Sequence, residues 1–219
     1  MDQEILTEQI AYYRARAQEY DETTWVGGEP IDALAHAAQL LGAMGPFEQI
    51  LELACGTGTW TQILTAIGRE VTALDASPEM LDLARQKTAT APVNYQQADL
   101  FQWESSLPYD LVFFANWLSH IPPDMLDPFL AKMCLAVKSG GQVVIVDQYA
   151  AMDEDRDLAR KGAGGQIYAE RPLLNGQTFT IVKVFYDLKL LRDRLAARGF
   201  TVTVEKLDDI FFFLRAQRQ

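Results

Sequence analysis

The feature of this sequence that most constrains its fold is a regular alternation of strand-like and helix-like segments. The predicted strands are 49–53, 70–75, 93–98, 109–115 and 142–148, and the predicted helices between them are 59–68, 77–89 and 122–138. A strand, a helix and a second parallel strand form a right-handed crossover, so the pattern predicts an α/β fold with a parallel sheet covered on both faces. The continuous apolar runs at 111–115 and 143–146 are typical of central strands in such a sheet.

The segments around this alternating core predict further elements of the same domain. Apolar residues in steps of three or four predict a helix at 2–20, and an Ala- and Leu-rich segment predicts another at 31–44. A charged stretch with a hairpin around an Asn-Gly turn forms an insertion. A helix at 187–200 then precedes an antiparallel pair of strands, 201–207 and 210–217. A chain of 219 residues suits one domain, which we divide into a helical cap (1–45), a core (46–148), an insertion (149–187) and a closing segment (188–219).

Composition and charge argue against several classes of protein. The net charge is −11, from 19 basic and 30 acidic residues without a segregated basic patch, so we expect neither a nucleic acid nor an anionic membrane as partner. No apolar run approaches the roughly 18 residues of a membrane span. The amino terminus lacks the pattern of a secretory signal, so we expect a cytoplasmic protein. Cys55 and Cys134 are far apart and have no neighbouring pair of histidines, so we expect no metal site. The sequence leaves the oligomeric state open.

The segment ILELACGTGTWT, residues 50–61, carries the strongest chemical signal. Its strand runs into a turn in which Gly56 and Gly58 let the backbone approach a ligand, and the following helix presents its amides to a negative group. Asp75 ends the next predicted strand, 19 residues after Gly56, a position from which a carboxylate accepts hydrogen bonds from ribose hydroxyls. Together these residues predict a nucleoside-binding site at the carboxyl edge of the sheet.

The class of nucleoside cofactor depends on two further positions. Thr61 stands where the dinucleotide fingerprint has its third glycine, which argues against NAD. Glu52 in the first strand, followed by the two glycines and by Asp75 in the second strand, instead resembles the first two motifs of class I S-adenosylmethionine-dependent methyltransferases. The resemblance covers the alternating core and implies a doubly wound, seven-stranded, mostly parallel sheet, closed by a reversed last strand beside the fifth.

This resemblance also implies positions that bind S-adenosylmethionine. Asp99 and Leu100 match the pair beside the adenine, and Asn116 and Trp117 match the motif that flanks the methionine part. Ala54 departs from the family pattern, which more often has glycine there. The full set that the resemblance implies is Tyr20, Glu52, Ala54, Gly56, Gly58, Asp75, Ala76, Met80, Asp99, Leu100, Asn116 and Trp117.

A methyl acceptor should arrive beside the cofactor. The segments NWLSHIPPDMLDPFL and FTIVKVFYDLKLLRDRLAARGF look like an uncharacterised bacterial subgroup of the small-molecule enzymes, and AYYRARAQEYD resembles their cap helix. His120 follows the fourth strand on the rim where the acceptor should arrive, and its imidazole can accept a proton, so it is the candidate base. The candidate acceptor-binding residues are Tyr12, Tyr13, Arg16, Trp25, Tyr168 and Tyr186.

Three tyrosines of the first helix have two possible roles. Tyr13 and Tyr20 fall on the apolar stripe, which favours packing in a core, whereas Tyr12 falls off the stripe. An aromatic face beside a sulfonium is also favourable by about 0.5 to 2 kcal/mol through cation-π attraction. We therefore expect one of these rings to close over the cofactor.

These residues predict an enzyme that transfers a methyl group from S-adenosylmethionine to an oxygen or nitrogen of a small molecule, by in-line displacement and without a metal. Two alternatives remain open. The first keeps the cofactor but transfers an aminopropyl group or uses the sulfonium in a rearrangement. The second is an NAD-binding oxidoreductase or a catalytically silent regulatory module. Identifying the product formed from the cofactor distinguishes the first alternative from methyl transfer. Testing which cofactor raises the melting temperature distinguishes the second.

Overall fold

The computed structural model describes residues 3–24, 31–105, 107–150, 159–161 and 167–219, which form two sheets flanked by helices. The helices are α1 (Gln3–Arg16), α2 (Tyr20–Thr24), α3 (Asp32–Gly42), α4 (Thr59–Ile67), α5 (Pro78–Lys87), α6 (Pro123–Leu135) and α7 (Leu188–Ala196). The strands are β1 (Phe47–Leu53), β2 (Gly68–Asp75), β3 (Val93–Gln97), β4 (Tyr109–Ala115), β5 (Val137–Gln148), β6 (Ala159–Lys161), β7 (Ile167–Pro172), β8 (Thr178–Val182), β9 (Phe200–Lys206) and β10 (Phe211–Arg218). Within these ranges, no helix is long and apolar enough to cross a membrane.

The main sheet has seven strands in the order β3-β2-β1-β4-β5-β10-β9. The strands from β3 to β5 pair in parallel, and β10 pairs antiparallel with both β5 and β9. The chain builds outward from β1 in both directions, so the carboxyl ends of β1 and β4 meet at a topological switch point, where ligands bind in sheets of this kind. The doubly wound sheet and the reversed last strand beside the fifth are both confirmed.

Both faces of the main sheet are covered, as the apolar runs of β4 and β5 predict. Phe113 and Phe114 are neighbours in β4 and both are fully buried. Phe114 packs with residues of α6 and α7, whereas Phe113 packs on the other face with residues of α3 and α4. Each such side chain stabilises the fold by about 1.5 to 3 kcal/mol through its removal from water.

Some boundaries differ from the prediction. The helix predicted at 2–20 is divided, because α1 ends at Arg16 and a 3-10 turn at Ala17–Glu19 precedes α2. The strand predicted at 142–148 begins earlier, since Val137 already pairs with Tyr109 ahead of a shift in register. Neither difference moves the carboxyl edge of the sheet.

A small sheet, β6-β7-β8, lies within the predicted insertion. β7 and β8 pair antiparallel and form the predicted hairpin. Helix α1 lies against this sheet, and two of its side chains accept hydrogen bonds from backbone amides of β8. Gln9 Oε1 accepts from the amide of Val182 at 3.0 Å, and Glu8 Oε1 accepts from the amide of Thr180 at 2.7 Å. The amino-terminal helix therefore connects the small sheet to the rest of the domain.

Candidate functional site

A large cavity, here called the main cavity, opens at the carboxyl ends of β1, β2 and β4 and is covered by α1. It encloses about 710 Å³ of space, a volume that includes open solvent. Most of the residues predicted to bind the cofactor line it: Tyr20, Ala54, Gly56, Asp75, Ala76, Met80, Asp99, Leu100, Asn116 and Trp117.

The loop between β1 and α4 forms one wall of the main cavity. Gly56 has a φ of 54°, and no atom lies within 4 Å of the place where its Cβ would be, so a ligand can approach the backbone there. Gly58 has a φ of 84°, and a Cβ there would lie 2.9 Å from the Cα of Ala84 in α5. Gly58 is therefore needed for helix packing and is not among the described residues that line the cavity. Ala54 has a φ of 53°, a conformation that favours glycine.

Asp75 holds this loop in place from the end of β2. Its Oδ2 accepts from the amide of Gly56 at 2.9 Å, and its Oδ1 accepts from the amide of Ser77 at 2.9 Å. Burial raises the pKa of Asp75, and the amide hydrogen bonds oppose that shift. Ser77 caps α5 by accepting from the amide of Met80 at 3.1 Å, with Pro78 in the first turn. A carboxylate oxygen can accept more than one hydrogen bond, so both oxygens of Asp75 can still accept from ribose hydroxyls.

Glu52 lies in the centre of the sheet and is not part of the cavity wall that the described residues form. Its side chain is 1% exposed, and Thr61 donates a hydrogen bond of 2.6 Å to its Oε2. Burial raises the pKa of Glu52 to about 8, and the bond from Thr61 opposes this rise. Thr61, which replaces the third glycine of the dinucleotide fingerprint, thus forms a buried pair with Glu52.

Replacing Glu52 by glutamine is expected to change how stability depends on pH. Because burial raises the pKa of this carboxyl from 4.5 to about 8, only the folded protein retains the proton between these two values. The free energy of unfolding of the wild type should therefore fall with rising pH in this window, by about 1.4 kcal/mol per pH unit. Since glutamine does not titrate, the stability of Glu52→Gln relative to the wild type should rise between pH 5 and 8 and then level off.

Thermal unfolding at a series of pH values measures this difference. Glu48→Gln is the matched control, because Glu48 lies in the same strand with an exposed side chain that pairs with Arg69. A difference between Glu52→Gln and the wild type that stays constant from pH 5 to 8 would contradict the buried, protonated carboxyl.

Two ion pairs attach the cap to α5, beside the main cavity. Lys87 Nζ lies 2.7 Å from Asp21 Oδ2, and the hydroxyl of Thr57 donates to Asp21 Oδ1 at 2.6 Å. Arg14 of α1 contacts Glu79 with two nitrogens, at 3.0 and 2.8 Å, and lowers the pKa of Glu79 to about 2. Such partly exposed pairs contribute at most about 1 kcal/mol each. Their main effect is to position α1 and α2 over the glycine loop.

His120 follows β4 and lines the main cavity together with Tyr13 of α1. Its Nδ1 lies 2.8 Å from the carbonyl oxygen of Val182, and because a carbonyl only accepts, Nδ1 carries the proton. Nε2 then accepts from the hydroxyl of Tyr13 at 2.8 Å. Burial, followed by the charge of Lys183, holds the pKa of His120 well below its usual range, so the imidazole is neutral. Tyr13 and His120 therefore form one hydrogen-bonded pair, here called the Tyr13–His120 pair.

The structure does not bring two of the predicted acceptor-binding tyrosines to the main cavity. Tyr12 is 2% exposed and packs with Ile181 in a cluster between α1 and the small sheet. Tyr186 is buried in the main core, and its hydroxyl donates to the carbonyl of Ile121 at 2.7 Å. Because α1 contacts two surfaces at once, Tyr12 faces the small sheet and Tyr13 faces the cavity, the reverse of what the apolar stripe predicts.

Two other residues predicted to bind the acceptor, Arg16 and Tyr168, are not among the described residues that line the cavity. The Cζ of Arg16 lies 4.8 Å from the ring centroid of Tyr20, which lines the cavity. Tyr168 lies in β7, where it pairs with Val182 of β8. Trp25 lies outside the described residues.

Several lining residues were not predicted from the sequence: Leu6, Gln9, Ile10, Ser77, Phe101 and Ala115. Gln9 is the most informative of them. Its Nε2 donates to the carbonyl of His120 at 3.3 Å, while its Oε1 accepts from Val182, so it fixes the turn after β4 to the small sheet. Gln9 lies four residues before Tyr13 on α1, so the two side chains share a face of the helix. This spacing could have identified Gln9 as a candidate site residue from the sequence.

The chain is similar to known methyltransferases in sequence. A family model described as a methyltransferase domain matches residues 50–141. Malonyl-[acyl-carrier protein] O-methyltransferase of Serratia marcescens is 34% identical over 110 residues, which are 48% of this chain and 40% of that protein. The match thus spans less than half of that relative. An uncharacterized methyltransferase of Bacillus mycoides is 25% identical over 209 residues, which cover 93% of this chain and 94% of the relative.

Solved structures extend the similarity to the whole chain. The structure named DhpI-SAH complex is 36% identical with a TM-score of 0.82, covering 100% of this chain and 98% of that chain. The structure named DhpI-SAM-HEP complex is 34% identical with a TM-score of 0.84, covering 99% of both chains. SAM and SAH are S-adenosylmethionine and S-adenosylhomocysteine, the forms of one cofactor before and after methyl transfer.

Proposed function

The chain belongs to the class I S-adenosylmethionine-dependent methyltransferases, and on this premise we propose that it transfers the methyl group to an oxygen or nitrogen of a small-molecule acceptor. The observation that carries the proposal is that one cavity brings the carboxylate of Asp75 together with the Tyr13–His120 pair. Because α1 covers this cavity, the acceptor has to be small enough to fit beneath it. The similar protein from Serratia marcescens is by name an O-methyltransferase, which supports oxygen as one acceptor atom.

The main cavity contains groups that fit the cofactor. Asp75 offers two oxygens to the ribose hydroxyls, and the open space at Gly56 lets a ligand reach the backbone. The indole Nε1 of Trp117 is buried and has no hydrogen-bond partner among the described residues, so an acceptor atom of a ligand would satisfy it. When bound, S-adenosylmethionine supplies a methyl group on a positively charged sulfur. The protein then has to align the acceptor and exclude water.

We assign removal of the acceptor's proton to the Tyr13–His120 pair. Since Tyr13 occupies Nε2 of His120, a hydroxyl or amine in the cavity meets the oxygen of Tyr13 first. The acceptor's proton passes to that oxygen while the proton of Tyr13 passes to Nε2. Tyr13 stays neutral, and the imidazolium keeps its hydrogen bond to the carbonyl of Val182.

Incubation of the protein with S-adenosylmethionine carrying a deuterated methyl group and a pool of small metabolites tests the proposal. The expected result is a set of small molecules with a deuterated methyl group on oxygen or nitrogen, formed together with S-adenosylhomocysteine and detected by mass spectrometry. The Asp75→Ala variant serves as control and should give no labelled product. Consumption of the cofactor without S-adenosylhomocysteine, as in aminopropyl transfer, would contradict the proposal.

A further inference from the structure

The side-chain amide of Gln9 bonds to both peptide groups that hold His120 in place. Gln9 lies on α1, is only 2% exposed and lines the main cavity. Its Oε1 accepts from the amide of Val182 at 3.0 Å, and its Nε2 donates to the carbonyl of His120 at 3.3 Å. Since a backbone amide only donates and a backbone carbonyl only accepts, the two partners fix which end of the side chain is oxygen and which is nitrogen.

The imidazole of His120 closes this arrangement into a ring of hydrogen bonds. Its Nδ1 donates to the carbonyl of Val182 at 2.8 Å, and the amide of the same valine donates to Gln9. The N–H and C=O of one strand residue point to the same side, and β8 lies at the edge of the small sheet that the described residues form. Val182 therefore binds both the imidazole and the side chain that holds the backbone of His120.

The same face of α1 supplies the group that meets the other nitrogen of the imidazole. Tyr13 lies four residues after Gln9, and its hydroxyl is 2.8 Å from Nε2 of His120. The distance between the tyrosine oxygen and Nε2 depends on how α1 lies on the turn after β4. Gln9 bonds α1 to the backbone of that turn, so it fixes this distance.

Packing of α1 alone does not require a glutamine at this position. An apolar side chain of the same length would fill the space, whereas a buried amide is costly unless it is hydrogen-bonded. Glu8 already bonds the helix to the small sheet, since its Oε1 accepts from the amide of Thr180 at 2.7 Å. Gln9 differs from Glu8 because it donates as well as accepts, and the carbonyl to which it donates belongs to His120.

We propose that Gln9 is a positioning residue, which holds the imidazole of His120 with its proton on Nδ1 and with Nε2 facing the hydroxyl of Tyr13. The proposal rests on the proposed function, because the proton transfer that it serves belongs to that reaction. Misplacing a reacting group by about 1 Å can lower a rate by about 100-fold. Loss of the Gln9 amide should therefore slow methyl transfer and leave the contacts of the cofactor intact.

The state of the imidazole is measured first, by nuclear magnetic resonance, because this measurement needs no acceptor. The chain contains two histidines, so protein with isotope-labelled histidine nitrogens gives signals from two imidazoles, and His36→Ala identifies those of His120. The wild type should show a neutral ring with its proton on Nδ1 alone. Gln9→Met keeps the length of the side chain and loses both hydrogen bonds, so it should show a mixture of the two neutral tautomers.

Glu8→Met is the matched control, since Glu8 bonds the same helix to β8 through Thr180 rather than through Val182 or His120. It should leave the tautomer of His120 unchanged, even where its melting temperature falls as far as that of Gln9→Met. Where Gln9→Met does not fold, Gln9→Asn takes its place, because it keeps the amide but is one methylene too short to reach both partners.

Turnover with the acceptor found by isotope labelling is the second measurement. Gln9→Met should lower turnover by about tenfold to 100-fold and change S-adenosylhomocysteine affinity by less than about threefold. In a protein that already carries His120→Ala, the same substitution should cause no further loss of turnover, because Gln9 acts through the imidazole.

Three results would overturn the proposal. The first is a tautomer of His120 in Gln9→Met that is the same as in the wild type. The second is the same mixture of tautomers in Glu8→Met, which would assign the effect to the docking of α1. The third is an equal loss of turnover from Gln9→Met with and without the imidazole of His120. A wild type that forms no methylated product would refute the proposed function instead, and the tautomers would still decide whether Gln9 positions the imidazole.

Discussion

Substituting Asp75 by alanine is expected to weaken binding of S-adenosylmethionine by about 100-fold or more, because two hydrogen bonds from ribose hydroxyls to a carboxylate are lost and each contributes roughly 1.5 to 3 kcal/mol. The variant also loses the acceptor that fixes the amide of Gly56, so the glycine loop becomes less well ordered. Both effects weaken the binding of the cofactor. Calorimetric titration with S-adenosylmethionine and with S-adenosylhomocysteine measures the loss.

The matched control for this experiment is Asp82→Ala. Asp82 is exposed on α5 and pairs with Arg85, so its loss should leave cofactor affinity unchanged. The melting temperature without cofactor shows whether Asp75→Ala remains folded. Retention of wild-type affinity by a folded Asp75→Ala protein would contradict the ribose-binding role.

Removal of the imidazole in His120→Ala is expected to lower turnover by about 100-fold to 10,000-fold, the usual range for loss of a general base. Tyr13→Phe removes the hydroxyl that lies between the acceptor and Nε2 and should lower turnover in the same range. Because both residues serve one proton transfer, the double variant should be little slower than either single variant. Cofactor affinity should change little in all three proteins.

His36→Ala is the control for this series, since His36 is exposed and pairs with Glu205 away from the main cavity. Turnover is measured with the acceptor found by isotope labelling, at saturating cofactor. Unchanged turnover in His120→Ala would remove the imidazole from the reaction. Additive losses in the double variant would show that Tyr13 and His120 act separately.

The sequence predicts the fold well where a single local pattern decides the outcome. The apolar runs of β4 and β5 require burial on both faces, which leaves few arrangements other than a central position in a parallel sheet. Asp75 and Gly56 could likewise be placed together from the sequence, since Asp75 ends one parallel strand, Gly56 follows its neighbour, and neighbouring parallel strands end at the same edge. In the structure the two residues are joined by a hydrogen bond from the amide of Gly56 to the carboxylate of Asp75.

The acceptor side was harder to predict because it depends on contacts between distant segments. The helical stripe assigns Tyr13 to a core and leaves Tyr12 outside it, yet the small sheet offers α1 a second surface and buries Tyr12. Nothing in the local pattern around Lys183 shows that it will lie next to Ser119, 64 positions earlier. Spacing along a helix predicts which side chains share a face, but the surface that covers that face follows from the tertiary structure.

The position of α1 has a consequence for the catalytic cycle. This helix covers the main cavity and lies on the small sheet. Through Gln9 it also forms a hydrogen bond to the turn that contains His120. A movement of α1 away from the cavity would therefore also take Tyr13 away from His120, so the Tyr13–His120 pair is complete only while this helix is in place.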